Sequence, residues 1–157
     1  MALAKVAPST LTEQGIREFA AAWYRALDIH VPFEEACTFL AEEGLRMQFP
    51  DGDITDHSSF RKWYERVTNL FFDENHTVQS VRTRINGQEG VVDVVVGWQA
   101  SWWEPPAAKS KRTSMDATQR WTVRPSDRNP YGMEIVTYNA TVEPFKYAPG
   151  FACLTGG

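Results

Sequence analysis

The sequence predicts an α+β fold: three N-terminal helices packed in a strongly curved, mainly antiparallel sheet, a cone-shaped α+β barrel. Three observations carry this. Apolar residues recur at helical spacing in three stretches between Ile16 and Phe71. From His76 onward the period changes to two over four long runs. Turn signals such as Asn86-Gly87 then join consecutive runs closely, which makes neighbours antiparallel. A sheet of this kind can curl around preceding helices and leave a pocket at its open end.

Each element has a local reason. Thr10-Leu11-Thr12-Glu13 fits a capping box. Ile16, Phe19, Ala20, Trp23 and Leu27 form the apolar face of the helix that follows. Pro32 opens a second, shorter helix, with Phe33, Ala36, Cys37 and Leu40 as its stripe and Gly44 as its stop. Leu45 to Phe49 reads as a short strand ended by Pro50, and Asp51-Gly52-Asp53 as a turn. Asp56 caps a third helix whose Phe60, Trp63, Tyr64, Val67 and Phe71 call for a broad partner such as a sheet. Four strands follow: His76 to Ile85, Val91 to Trp103, Lys111 to Val123 and Tyr131 to Glu143.

Parity divides the strands. Val92, Val94, Val96, Trp98, Ala100 and Trp102 share one face; Val91, Asp93, Val95, Gln99 and Trp103 share the other. Thr113, Met115, Ala117, Gln119, Trp121 and Val123 face inward on the third run. The valine-rich second run is apolar on both faces, which predicts a central strand and a homodimer contact through the sheet.

With 157 residues, 43% apolar and 23% charged, the chain is sized for one globular domain. The expected layout is a flexible N-terminus over 1–9, a single cavity domain over 10–143, and a C-terminal tail over 144–157. The net charge of −4, with no basic stripe, argues against nucleic acid. No window approaches ~18 apolar residues and the N-terminus does not read as a signal peptide, so a cytoplasmic location is expected. Cys37 and Cys153 are isolated, suiting a reducing compartment and offering neither a disulfide framework nor a zinc site. The six tryptophans suit a large aromatic core or a pocket lined for a flat apolar ligand.

The element order resembles the nuclear transport factor 2-like superfamily, and within it the SnoaL-like group. The residues that carry this are Trp23-Tyr24-Arg25-Ala26-Leu27-Asp28, Phe49-Pro50 and Asn75-His76-Thr77. The resemblance implies a curved sheet around the long first helix and a deep apolar cavity. It covers dehydratases, isomerases, cyclases, epoxide hydrolases and binding proteins, so it does not fix the function.

His76 resembles in position the catalytic histidine of scytalone dehydratase-like members, and a histidine can move a proton either way at a cavity edge. No histidine follows it, so the second histidine of that pattern is missing. Phe49 stands where ketosteroid isomerases place a base carboxylate, while Tyr24 falls near their oxyanion tyrosine. Tyr64 and Tyr138 each bring a hydroxyl into an apolar region, as donors to a ligand or as core tyrosines bonded to backbone. Asp93 interrupts a valine strand on the face opposite Trp98, which favours pairing with an arginine across strands. Asp51, Asp53 and Asp56 fail as a calcium loop, though Asp53 can reach a pocket mouth. His30 and His57 lie near helix ends, where solvated roles are expected.

The combined expectation is a small-molecule-binding domain. If an enzyme, it is a cofactor-free dehydratase, isomerase or cyclase acting on a cyclic or aromatic apolar substrate, with His76, Tyr24 and Tyr64 catalytic. Trp23, Phe49, Asp53, Trp63, Trp98, Trp121 and Tyr138 would contact the ligand. No cofactor and no metal is expected. The alternative is a non-catalytic ligand-binding or dimeric interaction module of the same fold.

Overall fold

A computed structural model describes residues 11–154. Its elements are α1 (Glu13–Asp28), α2 (Phe33–Cys37), β1 (Arg46–Phe49), β2 (Gly52–Ile54), α3 (His57–Leu70), β3 (Phe72–Asn86), β4 (Glu89–Trp102), β5 (Lys111–Pro125), β6 (Met133–Asn139) and β7 (Lys146–Tyr147). The strands form one sheet ordered β2-β1-β6-β5-β4-β3, with β7 added on β5. All strand pairs are antiparallel except β1 with β6. Three helices with a large, mainly antiparallel curved sheet match the expected α+β class. No helix among the described residues is long and apolar enough to cross a membrane.

The helix signals act with some displacement. Thr12 is the cap of α1, its hydroxyl accepting the Gly15 N–H at 2.9 Å. Thr10 lies outside the described residues, and Glu13 pairs forward with Arg17 at 3.2 Å instead of reaching back. The α1 stripe is buried as the spacing predicts. Asp56 and Ser59 cap α3 reciprocally. Only Phe60 and Tyr64 of that helix are fully buried, and Phe60 meets Trp23 of α1 and Phe33 of α2, so α3 leans on helices as much as on strands.

Several boundaries differ from the sequence reading: β3 begins at Phe72, not His76, β6 begins at Met133, not Tyr131, and three others have a local cause. The second helix stops at Cys37, well before Gly44, because Phe39 and Ala41 give their backbone groups to Ile135 at the sheet, each bond 2.8 Å long. Asp51-Gly52-Asp53 is not simply a turn: Phe49 pairs with Gly52, so the turn is Pro50-Asp51 and β2 begins at Gly52. The last long strand ends at Asn139, whose side-chain oxygen accepts from both the backbone N–H and the hydroxyl of Thr141. That local turn diverts the chain before Val142.

The parity of β4 and β5 is as predicted. Val92, Val94, Val96, Ala100, Trp121 and Val123 are buried, and Asp93 pairs outward with Arg120 at 2.7 Å. In β3 a register shift between Val78 and Ser80 leaves Gln79 as an extra residue. Inward positions are therefore even-numbered before it, ending at His76 and Val78, and odd after it, at Val81. Such a bulge bends a strand and re-aims its side chains.

The core is aromatic and closed. Trp121 stacks on Tyr138 with centroids 5.3 Å apart, Tyr24 lies 5.8 Å from Trp121, and Phe19 meets Trp121 edge-on at 6.5 Å. Trp23, Trp121 and Phe19 are fully buried. A second cluster of Phe71, Trp98, Ala100, Trp102 and Met115 is covered by Phe145, Tyr147, Ala152 and Leu154. The C-terminal segment thus folds back on the sheet.

Candidate functional site: a histidine–aspartate pair at the end of the first helix

Asp28 is the last residue of α1 and faces the start of β3. One carboxylate oxygen accepts from His76 Nδ1 at 2.5 Å, and the other accepts the His76 backbone N–H at 2.9 Å. The pair is mostly shielded, with side chains 18% and 11% exposed. A carboxylate can only accept, so Nδ1 carries a proton, and in the neutral ring the Nε2 lone pair is left over. Nε2 hydrogen-bonds to no described residue.

Aromatic rings fix the imidazole plane. Tyr24, one turn before Asp28, stacks on His76 at 5.0 Å and 25°. Trp98, directly opposite His76 on β4, lies 6.1 Å away at 30°. The Tyr24 hydroxyl is turned inward and donates to Gln119 Oε1 at 2.7 Å, which also accepts from Trp121 Nε1 at 3.1 Å. Burial, reinforced by neighbouring Tyr138, pushes the Tyr24 phenol well above its ordinary value. The phenol therefore stays protonated and its proton is already committed, leaving the ring as the part that faces the site.

The pair opens into a cleft of about 360 Å³ lined by Ala21, Tyr24, Arg25, Asp28, Ile29, His76 and Val78. The Arg25 side chain has no hydrogen-bonding or ionic partner among the described residues. Beside the cleft is a second pair. His30, in a left-handed conformation with φ +53°, meets Glu74 through Nε2 at 2.5 Å. His30 is thus paired, not simply solvated. His57 likewise bonds the Ala41 carbonyl at 3.0 Å.

The residues singled out in the sequence fall in three places. His76, Tyr24 and Trp98 meet at the dyad. Trp23, Trp121 and Tyr138 lie in the closed core, where Trp23 Nε1 donates to the Tyr138 hydroxyl at 3.5 Å, the outer limit of a hydrogen bond. Tyr64 is separate again: its hydroxyl donates to the Val31 carbonyl at 2.5 Å, and burial pushes it up to about 12. Asp53 and Trp63 line another cleft of about 260 Å³ with Lys62 and Arg66, and Phe49 stacks on Trp63 at 4.9 Å. Among the described residues no group of three or more His, Cys, Asp or Glu is arranged to hold a metal ion.

The sequence reading overlooked Asp28, Arg25 and Glu74. A signal existed for the first two. Ala21, Tyr24, Arg25 and Asp28 recur at i, i+3, i+4 and i+7, a second stripe beside the apolar one.

No protein-family model matches the chain, and no curated protein sequence does. Solved structures do. One is a candidate scytalone dehydratase from Novosphingobium aromaticivorans, 14% identical, with a TM-score of 0.69 over 86% of this chain and 83% of that one. Hexachlorocyclohexane dehydrochlorinase LinA-type3 from Novosphingobium barchaimii is 10% identical, with a TM-score of 0.68 over 90% and 92%. A nuclear transport factor 2-like superfamily protein from Salmonella enterica serovar Typhimurium is 12% identical, with a TM-score of 0.66 over 92% and 95%. The chain has the nuclear transport factor 2-like fold.

Proposed function

We propose that this nuclear transport factor 2-like chain is a cofactor-free acid–base enzyme of the lyase or isomerase type, acting on a cyclic or aromatic apolar small molecule. The observation that carries the reading is Asp28 bound to His76 Nδ1, which leaves Nε2 without a partner among the described residues on a histidine that lines a cleft. In this reading Nε2 removes a proton from a carbon of the substrate, and Asp28 stabilises the imidazolium. Arg25 holds the oxygen or leaving group on which negative charge collects. Return of the proton to another carbon gives isomerisation, and departure of the anion gives elimination. Ala21, Ile29 and Val78 form the apolar wall, and Tyr24 serves as a ring face. The structural neighbours include a candidate dehydratase and a dehydrochlorinase, names that both denote eliminations, which supports the same class.

A non-catalytic binding role is favoured by one observation: His76 is the last histidine of the chain, so the second histidine of the dehydratase pattern is missing. The experiment that separates the two is a thermal-shift screen of steroids, terpenoids and polyketide aromatics, followed by product analysis. A ligand at 100 times its dissociation constant adds about 2.7 kcal/mol. The enzyme reading expects a product with the native chain and its loss in His76→Ala. Full turnover by His76→Ala overturns it. The homodimer through the sheet remains part of the reading; sedimentation at two concentrations tests it, and a monomer at both removes it.

A further inference from the structure

The end of α1 and the start of β3 are joined by two His–carboxylate pairs that cross. Helix-side Asp28 meets strand-side His76, and helix-side His30 meets strand-side Glu74. Glu74 is the less obvious member. Its side chain is only 8% exposed and both oxygens are engaged: Oε2 with His30 Nε2 at 2.5 Å, Oε1 with Trp98 Nε1 at 3.1 Å.

Trp98 is the cross-strand partner of His76, and its indole lies nearly parallel to the imidazole. The two rings beside His76 are therefore held at their polar ends by different groups. Gln119 fixes the Tyr24 hydroxyl from inside the core, and Glu74 fixes the Trp98 indole N–H from the start of β3.

We propose that Glu74 is a positioning residue for the Asp28–His76 pair. It acts through Trp98, and His30 holds it in place. Without its acceptor, the Trp98 N–H is left unpaired beside an apolar cluster, a costly arrangement that the indole relieves by swinging toward water. The imidazole then loses one of the rings that keep Nδ1 on Asp28 and Nε2 on the cleft. Glu74 itself is absent from the cleft lining, so it is not a catalytic residue.

The role rests on His76 being the working base, and the test separates the two. NMR of the imidazole nitrogens and ring protons of His76 reports the tautomer and the ring currents of Tyr24 and Trp98, whether or not any substrate is turned over. Glu74→Ala is expected to average the two nitrogen signals toward a tautomer mixture and to move the ring-proton shifts. Glu74→Gln keeps an oxygen for the Trp98 N–H and is expected to restore both. Trp98→Phe keeps a ring, removes the donor and leaves His30–Glu74 intact; it is expected to move the ring-proton shifts and serves if Glu74→Ala does not fold. Unchanged nitrogen and proton signals in Glu74→Ala, or in Trp98→Phe where that variant stands in, overturn the proposal. With a substrate in hand, Glu74→Ala is expected to lower kcat by up to about 100-fold with little change in KM. Full turnover by His76→Ala would sink the enzyme reading while the NMR result still decides the positioning role.

Discussion

Two clusters of buried carboxylates tie the N-terminal half of the chain to the sheet, and different side chains hold them. At β6, Glu134 is 9% exposed in its side chain and is held by Arg124 at 2.6 Å and Arg128 at 2.8 Å. Arg128 also donates to the carbonyls of Cys37 and Leu40, and Asn129 donates to those of Thr38 and Met133. At β3, carboxylates of similar burial are held by histidines. An arginine remains charged throughout the ordinary pH range and here its donors are turned to the protein; a histidine titrates and keeps one nitrogen free when the other is bound. Burial and ion pairing therefore do not mark a reactive site by themselves. In the proposed reading, what sets the dyad apart is a ring nitrogen without a partner on a residue that lines open space.

The comparison predicts opposite phenotypes. Asp28→Asn should lower kcat by about 10²- to 10⁴-fold by removing the charge behind the base. Its Tm should move by less than about 3 °C, since a chain this size shifts ~2–4 °C per kcal/mol. Turnover assays and a thermal melt of the same preparation check both halves, and a large loss of Tm with retained turnover would invert the assignment.

Glu134→Ala should do the reverse, costing roughly 2–3 kcal/mol of stability because Arg124 and Arg128 lose their shared acceptor. Arg124 is 43% exposed, so solvent recovers part of the loss. Chemical denaturation reads this, with activity of the remaining folded protein unchanged. A pH dependence follows. Burial raises the Glu134 carboxyl, but bonds from Arg128, Arg124 and Ser126 outweigh it and hold it below the ordinary carboxylate value. The stabilisation is complete above the unfolded value of about 4.3 and is lost as pH falls through the lower folded value. The gap in Tm between native and Glu134→Gln should be flat near neutrality and shrink below about pH 4. A gap independent of pH would mean that shape, not charge, matters at this anchor.

The smallest effect concerns a polar group with no cation at all. Thr113 is fully buried and its hydroxyl has no hydrogen-bond partner among the described residues. Thr113→Val keeps the shape and removes the orphan, so stability should rise by about 1 kcal/mol. A loss on denaturant titration would point to a partner that the hydroxyl does have.

The difference between elements also explains what could be read in advance. Alternation places Val92 through Trp102 and Met115 through Val123 inward, and both runs are so arranged. Helical spacing likewise finds Ile16, Phe19 and Trp23. Neither pattern can find β2, whose three residues are too few to display a period, or the parity change at Gln79 in β3. Of the candidate site, His76 and Tyr24 were legible as residue types that carry chemistry. Asp28 was legible only as part of a helix stripe and Glu74 not at all, because their meaning lies in contacts with residues 48 and 24 positions away along the chain. The aromatic wall expected of one cavity is divided among the dyad, the core and the cleft at Trp63, since rings that could face a ligand can equally face one another.

The strand order has a kinetic consequence. β1 takes its place beside β6, the last long strand to be made, and β6 carries Ile135 and Tyr138 into the core around Trp23. During synthesis at ~5–20 residues per second, the apolar stripe of α1 therefore waits several seconds for its lining. Through that interval Trp23 can pack only on rings made earlier, Phe39 and Phe60, and its Tyr138 face stays open.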